Sequence, residues 1–396
     1  MRKTTRQILF FFFAGAFLVS APLVVLYTAG YRISLNNYRV LETGALATNT
    51  SPRGVTVFID GKKDPEKTPT VIQNVLPHDT KIRFEKPGYL PWEQTVPVTA
   101  GRTTYVSTIL YADTAAEKLA SFGTDAISAH STNGRYLLLV DPEPETVTVT
   151  LYDSLTRFAR NLGTLPATQT PYSVVYNELA GMFVINAGPE VYRGYTLTGE
   201  PVTGNTLAQA VLNSPVTLLN NGKNIEVRLT RSIDKPVIAL LPISTYSVVA
   251  ADEEFVILKD ERQLLTVVPL SGGQAISMDV PATILNWQAD LHLLAWSDGI
   301  EVNGYDAVND VKTFFARQSN LITSLAWHPS GQALLVGTNS TVTAIDREAF
   351  NNRVSTLLLD SKDQILDMWL DKTAKNLFIL KNIDGSPALE RRRLVQ

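Results

Sequence analysis

Hydrophobic and polar positions follow three different patterns along the chain. Residues 8–29, ILFFFFAGAFLVSAPLVVLYTA, are apolar on all sides and carry no charge. From Gly44 on, apolar and polar residues alternate, as the inward and outward side chains of a β-strand do. From about residue 117 on, such short runs recur with a period of ~36–41 residues. The pattern therefore predicts one helix, a small β-domain and a repeated β-structure.

The apolar stretch predicts a helix that crosses a membrane. Its 22 residues would extend about 30 Å, which matches the hydrocarbon thickness. A buried core helix is the alternative, but such a helix normally has a polar face. Arg2, Lys3 and Arg6 precede the stretch without an acidic residue among them. By the positive-inside rule we expect a cytoplasmic N-terminus, with everything from Gly30 on outside.

The helix could be a cleaved signal peptide or a retained anchor. The tripeptide VSA at 19–21 resembles a cleavage site with small residues. Cleavage there would make Pro22 the first mature residue, which is disfavoured, and the apolar run continues to Tyr27. We therefore predict a signal anchor, with Tyr27 and Tyr31 at the membrane interface.

Residues 44–112 predict a small β-sandwich of five or six strands. Val55, Val57 and Ile59 alternate with polar or outward residues, and so do Ile82 and Phe84. The turn residues fit this prediction, because Asp60-Gly61 tolerates the positive φ of a tight hairpin. Lys62, Lys63 and Asp64 are interpreted as turn residues and not as a cation site.

The same segment resembles the PEGA domain. SPRGV at 51–55 is followed by IDG at 59–61, TP at 68–69 and KPGY at 86–89. The residues that carry the resemblance are Pro52, Gly54, Asp60, Gly61, Thr68, Pro69, Gly88 and Tyr89. In the name-giving tetrapeptide, Arg53 stands for Glu and Val55 for Ala, at permissive positions. The resemblance implies a surface-exposed module of bacterial and archaeal envelope proteins without known catalysis.

Two aromatic residues of this domain, Tyr89 and Trp92, have two interpretations. Packing in the sandwich is the first. An exposed pair that contacts carbohydrate or a partner protein is the second.

The repeats predict a β-propeller. The clearest copies are 126–165 and 321–360, each with a strand, a Ser/Asn-Gly hairpin, a second strand, a polar turn and a third strand that ends in Asp. These copies resemble WD40-like repeats. Weaker copies begin near Tyr172, Ala208, Tyr246, Ile284 and Ile365. The count is seven blades, with six or eight left open.

Residues 118–122 are predicted to close the ring as the outer strand of the last blade, which would cover an exposed sheet edge. Further β-sandwiches are the alternative to a propeller. The predicted fold is thus all-β with an N-terminal transmembrane helix. It comprises a tail and anchor at 1–30, a spacer at 31–43, the PEGA sandwich at 44–112 and the propeller at 113–396.

Composition and motifs exclude several classes of function. A net charge of −3 with 18% charged residues disfavours nucleic acid. The absence of cysteine excludes disulfides and thiolate sites. His78, His130, His292 and His328 are scattered, and His130 and His328 are assigned to the same place in their repeats. With no nucleotide or hydrolase fingerprint, we expect no enzyme, no cofactor and no metal.

The charged clusters are interpreted as solvated surface. Asp252, Glu253 and Glu254 are placed in one turn and Asp141, Glu143 and Glu145 in another, with a calcium site as the alternative. Arg391, Arg392 and Arg393 form a basic run that is either a solvated face or a contact to an anionic wall polymer.

These patterns favour a binding or scaffold protein of the bacterial cell envelope, with a protein or a cell-wall glycan as partner. The first alternative is a propeller enzyme acting on envelope polysaccharide, or a lactonase or quinoprotein. The second is an extracytoplasmic sensor. Because only seven residues precede the anchor, a sensor would have to work through a membrane partner.

Overall fold

The structure is a computed structural model in which the chain forms two compact units. Unit 1 comprises residues 1–111 and 348–354, and unit 2 comprises 112–347 and 355–396. Arg2, Ala29 and Ala208 lie outside the described residues. The described residues are 3–28, 30–34, 39–123, 126–131, 134–143, 145–166, 172–177, 180–186, 192–203, 214–230, 234–350 and 352–395.

Helix α1 (Lys3–Thr28) contains the apolar stretch. Its part Leu9–Thr28 is 20 residues long, about 30 Å, and none of it is buried within the protein. A continuous apolar surface without protein contacts is what a lipid environment requires. The helix is compatible with a membrane anchor, and a signal sequence has the same length and character.

A short hairpin of β1 (Tyr31–Ser34) and β2 (Arg39–Glu42) occupies most of the predicted spacer. Its connection to the sandwich is hydrogen-bonded, since Thr43 N–H donates to Gly30 O at 3.0 Å.

The remainder of unit 1 is a β-sandwich of two sheets. The first sheet has the order β6-β3-β9, with β3 and β9 parallel, and the second has the order β5-β4-β7-β8. The strands are β3 (Gly44–Ser51), β4 (Thr56–Ile59), β5 (Lys62–Lys67), β6 (Thr70–Val75), β7 (Asp79–Glu85), β8 (Trp92–Pro97) and β9 (Thr103–Ile109).

The core of the sandwich follows from the alternation in the sequence. In β7, Ile82 and Phe84 are fully buried, while Lys81 is exposed. They pack against Leu46 and Val106 of the opposite sheet. Phe350 and Val354, from the 348–354 segment of unit 1, pack on the same core.

Seven strands form where five or six were predicted. The strand that was not predicted from the sequence is β5, KKDPEK, whose side chains are almost all exposed. Charged residues and a proline are typical of an edge strand, because they discourage pairing with other chains. The interpretation of Lys62, Lys63 and Asp64 as turn residues is therefore wrong, since the turn itself contains only Asp60 and Gly61.

Unit 2 is a propeller, and the described residues form seven antiparallel sheets. Blades 1 to 6 follow in chain order, and blade 7 has the strand order β10-β36-β35-β34. The strand of blade 7 that comes first in the chain is β10 (Glu117–Ser121). Blade 1 is β11 (Ile127–His130), β12 (Tyr136–Pro142), β13 (Thr146–Asp153) and β14 (Phe158–Pro166). Blade 2 is β15 (Ser173–Asn177), β16 (Met182–Asn186), β17 (Tyr192–Thr196) and β18 (Pro201–Val202).

Within the described residues, blade 3 has three strands and the blades after it have four. Blade 3 is β19 (Val216–Asn220), β20 (Ile225–Leu229) and β21 (Val237–Leu241). Blade 4 is β22 (Tyr246–Ala251), β23 (Phe255–Asp260), β24 (Leu265–Pro269) and β25 (Ile276–Ser277). Blade 5 is β26 (Ile284–Gln288), β27 (Leu293–Ser297), β28 (Glu301–Asp306) and β29 (Val311–Arg317), with a short 3-10 turn at Ala289–Leu291.

The last two blades complete the ring. Blade 6 is β30 (Ile322–Trp327), β31 (Ala333–Thr338), β32 (Thr341–Asp346) and β33 (Ser355–Asp360). Blade 7 adds β34 (Gln364–Leu370), β35 (Asn376–Ile383) and β36 (Ser386–Arg393) to β10. Since β10 pairs with β36 as its outermost strand, the prediction that residues 118–122 close the ring is confirmed.

Apolar clusters hold neighbouring blades together. The cluster between blades 7 and 1 contains Leu137, Leu139 and Tyr152 of blade 1 with Trp369 and Phe378 of blade 7. Similar clusters join blades 1 and 2, 3 and 4, 4 and 5, and 5 and 6. The inner strands of several neighbouring blades contact one another, β26 with β30, β30 with β34 and β11 with β15, which places them around the axis of the ring. The all-β prediction of a sandwich followed by a propeller is thus confirmed.

Candidate functional site

A pocket of about 260 Å³ opens where four of these inner strands end. Its size is at the lower end of the range for ligand clefts, about 300–1,000 Å³. It lies within unit 2, between blades 5, 6, 7 and 1. The lining residues are His130, Asn286, Trp287, Gln288, Ala289, Asp290, Leu325, Ala326, Trp327, Pro329, Met368, Trp369, Leu370, Asp371 and Lys372.

Three tryptophans form the wall of this pocket. Trp287, Trp327 and Trp369 each lie near the end of the inner strand in three successive blades. All three are buried, so they give the pocket a rigid frame. The rim is polar, with Asp290 and Lys372 both exposed. An aromatic frame with a few polar groups at its edge is typical of a recognition site.

His130 and Asp367 meet beside the pocket. The His130 ring stacks on Trp369, with 4.6 Å between ring centroids and 9° between planes. Its Nε2 lies 3.8 Å from a carboxylate oxygen of Asp367. Burial raises the pKa of Asp367, although His130 and the N–H of Met368 partly oppose the shift. The two blades that close the ring thus share a titratable pair next to the pocket.

Three buried polar atoms of β30, the strand that carries Trp327, have no hydrogen-bond partner within the described part of the chain. They are Trp327 Nε1, Ser324 Oγ and Thr323 Oγ1, all on β30. The backbone N–H of Trp327, by contrast, donates to Asn286 Oδ1 at 3.0 Å. Buried polar atoms of this kind generally bond to water or to a ligand.

The assignment of His130 and His328 to one repeat position is wrong. His328 N–H donates to Ala333 O, and the corresponding bond in blade 1 runs from Ser131 N–H to Tyr136 O. Ser131 therefore corresponds to His328, and His130 lies one residue earlier. A shift of one residue turns a strand side chain to the opposite face. His130 consequently stacks at the pocket, while His328 hydrogen-bonds to Ser330 in the turn, and burial lowers its pKa to about 4.

Asp252 is not the solvated turn residue that the sequence analysis expected. Its Oδ2 accepts from Trp287 Nε1 at 3.2 Å and contacts His292 Nδ1 at 2.9 Å. Its Oδ1 accepts the N–H groups of Glu254 and Phe255. This carboxylate therefore links blade 4 to blade 5 and orients the Trp287 ring through the hydrogen bond to its Nε1.

The basic run at the end of the chain does not form one face. In β36, side chains alternate between faces, so Arg392 is buried while Arg393 is exposed. Arg391 donates to Glu117 at 2.8 Å and lowers the pKa of that carboxyl. Arg392 donates to Ala112 O at 3.2 Å. Only Arg393 fits the interpretation of the run as a solvated face.

Trp92 packs in the core of the sandwich, which is the first of its two interpretations from the sequence. It is 3% exposed and stacks on Phe84, with 5.0 Å between ring centroids. Tyr89 is partly buried and packs on the same core. These positions leave no exposed aromatic pair, so the interpretation of the pair as a contact to carbohydrate or a partner is wrong.

The residues of the PEGA resemblance lie in turns and not in a shared cavity. Gly54, with φ of 75°, donates its N–H to Thr68 O at 2.8 Å, and the Thr68 hydroxyl accepts from Val55 N–H at 3.1 Å. Pro52 and Pro69 lie next to these hydrogen-bonded residues in the chain. Asp60 and Gly61 form the β4–β5 turn, and Gly88 and Tyr89 form the bend before β8.

Asp60 also ties the turn to the neighbouring strand. It accepts Lys81 N–H at 3.0 Å and contacts His78 Nε2 at 2.9 Å. Partial burial lowers the pKa of His78, but hydrogen bonds to Leu76 O and Asp60 outweigh this, so the pKa is raised. Each of these contacts stabilises the sandwich.

Metal coordination has no candidate within the described residues, where no group of three His, Asp or Glu side chains could hold an ion. Glu143 accepts hydrogen bonds from Thr146 and Thr148 instead.

Comparison with known proteins agrees with the sandwich. The PEGA domain family matches residues 43–111, so this segment is a PEGA domain, and the resemblance found in the sequence is confirmed. No curated protein matches the sequence. A chain of the crystal structure of the mitotic checkpoint complex is similar over 71% of this chain and 92% of that chain, at 10% identity and a TM-score of 0.46.

Proposed function

We propose that this chain is a non-catalytic protein of the bacterial cell envelope whose propeller binds a partner outside the membrane. Helix α1 anchors it with the N-terminus in the cytoplasm, and the PEGA domain and the propeller lie outside. The partner is a protein or a cell-wall glycan. The observation that carries the proposal is the pocket at the ends of the inner strands, with its three tryptophans and its polar rim.

Other features support this reading. PEGA domains are modules of exposed envelope proteins. Propeller blades hold their loops on a rigid frame, which suits recognition. The unpartnered Nε1 of Trp327, a residue that lines the pocket, offers a hydrogen bond there.

The first prediction concerns the side of the membrane. With a tag at each end, protease added to spheroplasts is expected to remove the C-terminal tag and leave the N-terminal tag on a membrane-bound fragment, because the positive residues before α1 stay inside. Immunoblots of the membrane fraction measure both tags. Loss of the N-terminal tag with protection of the C-terminal tag would show the reverse orientation, and protection of both tags until the membrane is permeabilised would show that the C-terminal body lies inside.

The second prediction concerns the pocket. The detergent-solubilised full-length chain is expected to bind either isolated cell-wall sacculi or one reproducible protein of an envelope extract. Reversing both rim charges, with Asp290→Lys and Lys372→Glu, is expected to weaken that binding about tenfold or more. Both side chains are exposed, so the fold is expected to persist.

Lys223→Glu is the matched control for this experiment. Lys223 is exposed in the turn after the inner strand of blade 3, outside the pocket, and its variant is expected to bind normally. Equal binding by the pocket variant and the control, or no binding to either material, would refute the pocket as the recognition site.

A further inference from the structure

Blade 3 differs from the other blades because its sheet stops at the third strand. β21 ends at Leu241 and β22 of the next blade begins at Tyr246, so residues 242–245 leave no room for a fourth strand. In the part of the chain that the structure describes, no strand pairs with the outer edge of β21. Among the described residues, the position that an outer strand fills in the other blades is therefore open.

The free edge presents the backbone groups of Leu240. Asn221 N–H donates to Asn224 O and closes the turn between β19 and β20. Hydrogen-bonded pairs alternate along an antiparallel ladder, so from this turn Ile225 and Val227 bond towards β21. Their partners are Leu241 and Ala239, respectively.

Between these partners, the backbone groups point outwards. Leu240 therefore directs its N–H and C=O groups away from the sheet, where an added strand would bind them. The ladder to β20 shifts register at Ile238, which lies between the paired residues Val237 and Ala239.

The side chains of this edge carry no charge that would discourage pairing. The segment 236–245, PVIALLPIST, carries no charge, and Val237, Leu240 and Ile243 are exposed at 41%, 59% and 56%. Charged residues on an edge strand prevent strand addition. The other outer strands longer than two residues, β10, β14, β29 and β33, each contain at least one charged residue.

We propose that β21 is a docking site for an extended, uncharged, apolar segment of a partner protein, which adds as the fourth strand of blade 3. Pro236 and Pro242 bracket the edge and limit the added strand to about five residues, since proline cannot continue a ladder. A charged strand would lose its hydration against this apolar edge, so the edge selects against it.

The length of the edge argues for a flexible segment and against a second copy of this chain. Five residues extend about 17 Å. Two rigid propellers that touch along this line alone would bury far less than the ~1,600 Å² of a stable interface. A flexible segment can also cover the exposed side chains of Val237, Leu240 and Ile243.

A synthetic peptide tests this proposal. The probe is a fluorescent, end-capped peptide of sequence TVTVTL, which is uncharged and alternates apolar residues. Fluorescence anisotropy with the detergent-solubilised full-length chain is expected to show saturable binding. Leu240→Lys is expected to weaken it about tenfold or more, because the charge lies on the edge. The same peptide with alternate amides N-methylated is expected not to bind, because strand addition needs those N–H groups.

Leu357→Lys is the matched control. Leu357 is 52% exposed on β33, the outer strand of the complete blade 6, and its variant is expected to bind the peptide normally. Circular dichroism confirms that both variants fold. The Asp290→Lys, Lys372→Glu chain is also expected to bind the peptide, so the proposed pocket and this edge can fail separately.

Four results would overturn the proposal. They are the absence of saturable binding, unchanged binding by Leu240→Lys, equal binding of the N-methylated peptide, and equal losses in Leu240→Lys and Leu357→Lys. Sedimentation adds a fifth. If the parent chain is a dimer that Leu240→Lys dissociates, the edge binds a second copy and not a partner segment.

Discussion

Replacing Trp369 with alanine is expected to lower the free energy of unfolding of the propeller by about 3–5 kcal/mol. Trp369 is 3% exposed in the cluster between blades 7 and 1. It stacks on His130 and on Phe378, and its Nε1 donates to Gly134 O at 3.2 Å. The substitution leaves a cavity between blades 7 and 1, which close the ring, and removes one of the two side-chain donors to the Gly134 carbonyl, the other being the Ser154 hydroxyl.

Two further variants separate the contributions of Trp369. Trp369→Phe keeps an aromatic ring but removes the N–H, so its expected cost is about 1–3 kcal/mol. Leu155→Ala changes a side chain that is 71% exposed in a turn of blade 1, with an expected effect within about 0.5 kcal/mol. Thermal unfolding of the detergent-solubilised chain by near-ultraviolet circular dichroism measures all three. If Trp369→Ala and Leu155→Ala have the same melting temperature, the contact between blades 7 and 1 does not limit the stability of the propeller.

Patterns of period two could be predicted well from the sequence. The sandwich core, with Ile82 and Phe84 buried and Lys81 exposed, follows from alternation within one strand. Ring closure was also predictable, because a strand before the first repeat has no partner nearby in the chain. The first inference needs only the spacing of apolar residues within a strand, and the second needs only one strand without a partner nearby.

Relations between repeats were predicted less well, because they depend on register. The two turns have the same length, but His130 precedes its turn glycine, Gly134, by four residues and His328 precedes Gly331 by three, so the hydrogen bonds place the two histidines at different positions. The pocket was missed for a related reason. Trp287, Trp327 and Trp369 are far apart in the chain, and only their common place near the ends of inner strands could have indicated it.

Charged residues misled the sequence analysis where tertiary contacts satisfy them. Asp252 resembles an ordinary turn residue, yet Trp287 and His292 from the next blade bind its carboxylate. Arg392 belongs to a run of three arginines that suggested a solvated face, but its side chain is buried. Composition alone cannot identify such partners, since they come from other blades or from the far end of the chain.

Replacing Gly134 with alanine is the second test of the closing joint. Gly134 has a φ of 67°, where a side chain costs about 1–2 kcal/mol. An added Cβ would also lie 2.5 Å from Leu370 O and 3.0 Å from Asp371 Cα, both backbone atoms of blade 7. Because backbone cannot move aside as a flexible side chain can, we expect a further cost of about 1–3 kcal/mol.

Gly222→Ala is the matched control, since Gly222 has a φ of 84° in the turn of blade 3 and nothing lies within 4 Å of its Cβ position. It is expected to show the conformational cost alone. The difference in melting temperature between the two variants thus isolates the close approach of blade 1 to blade 7. Equal destabilisation would mean that the two blades can separate at this contact without loss, and that the strand β10 and the Trp369 cluster alone hold the ring closed.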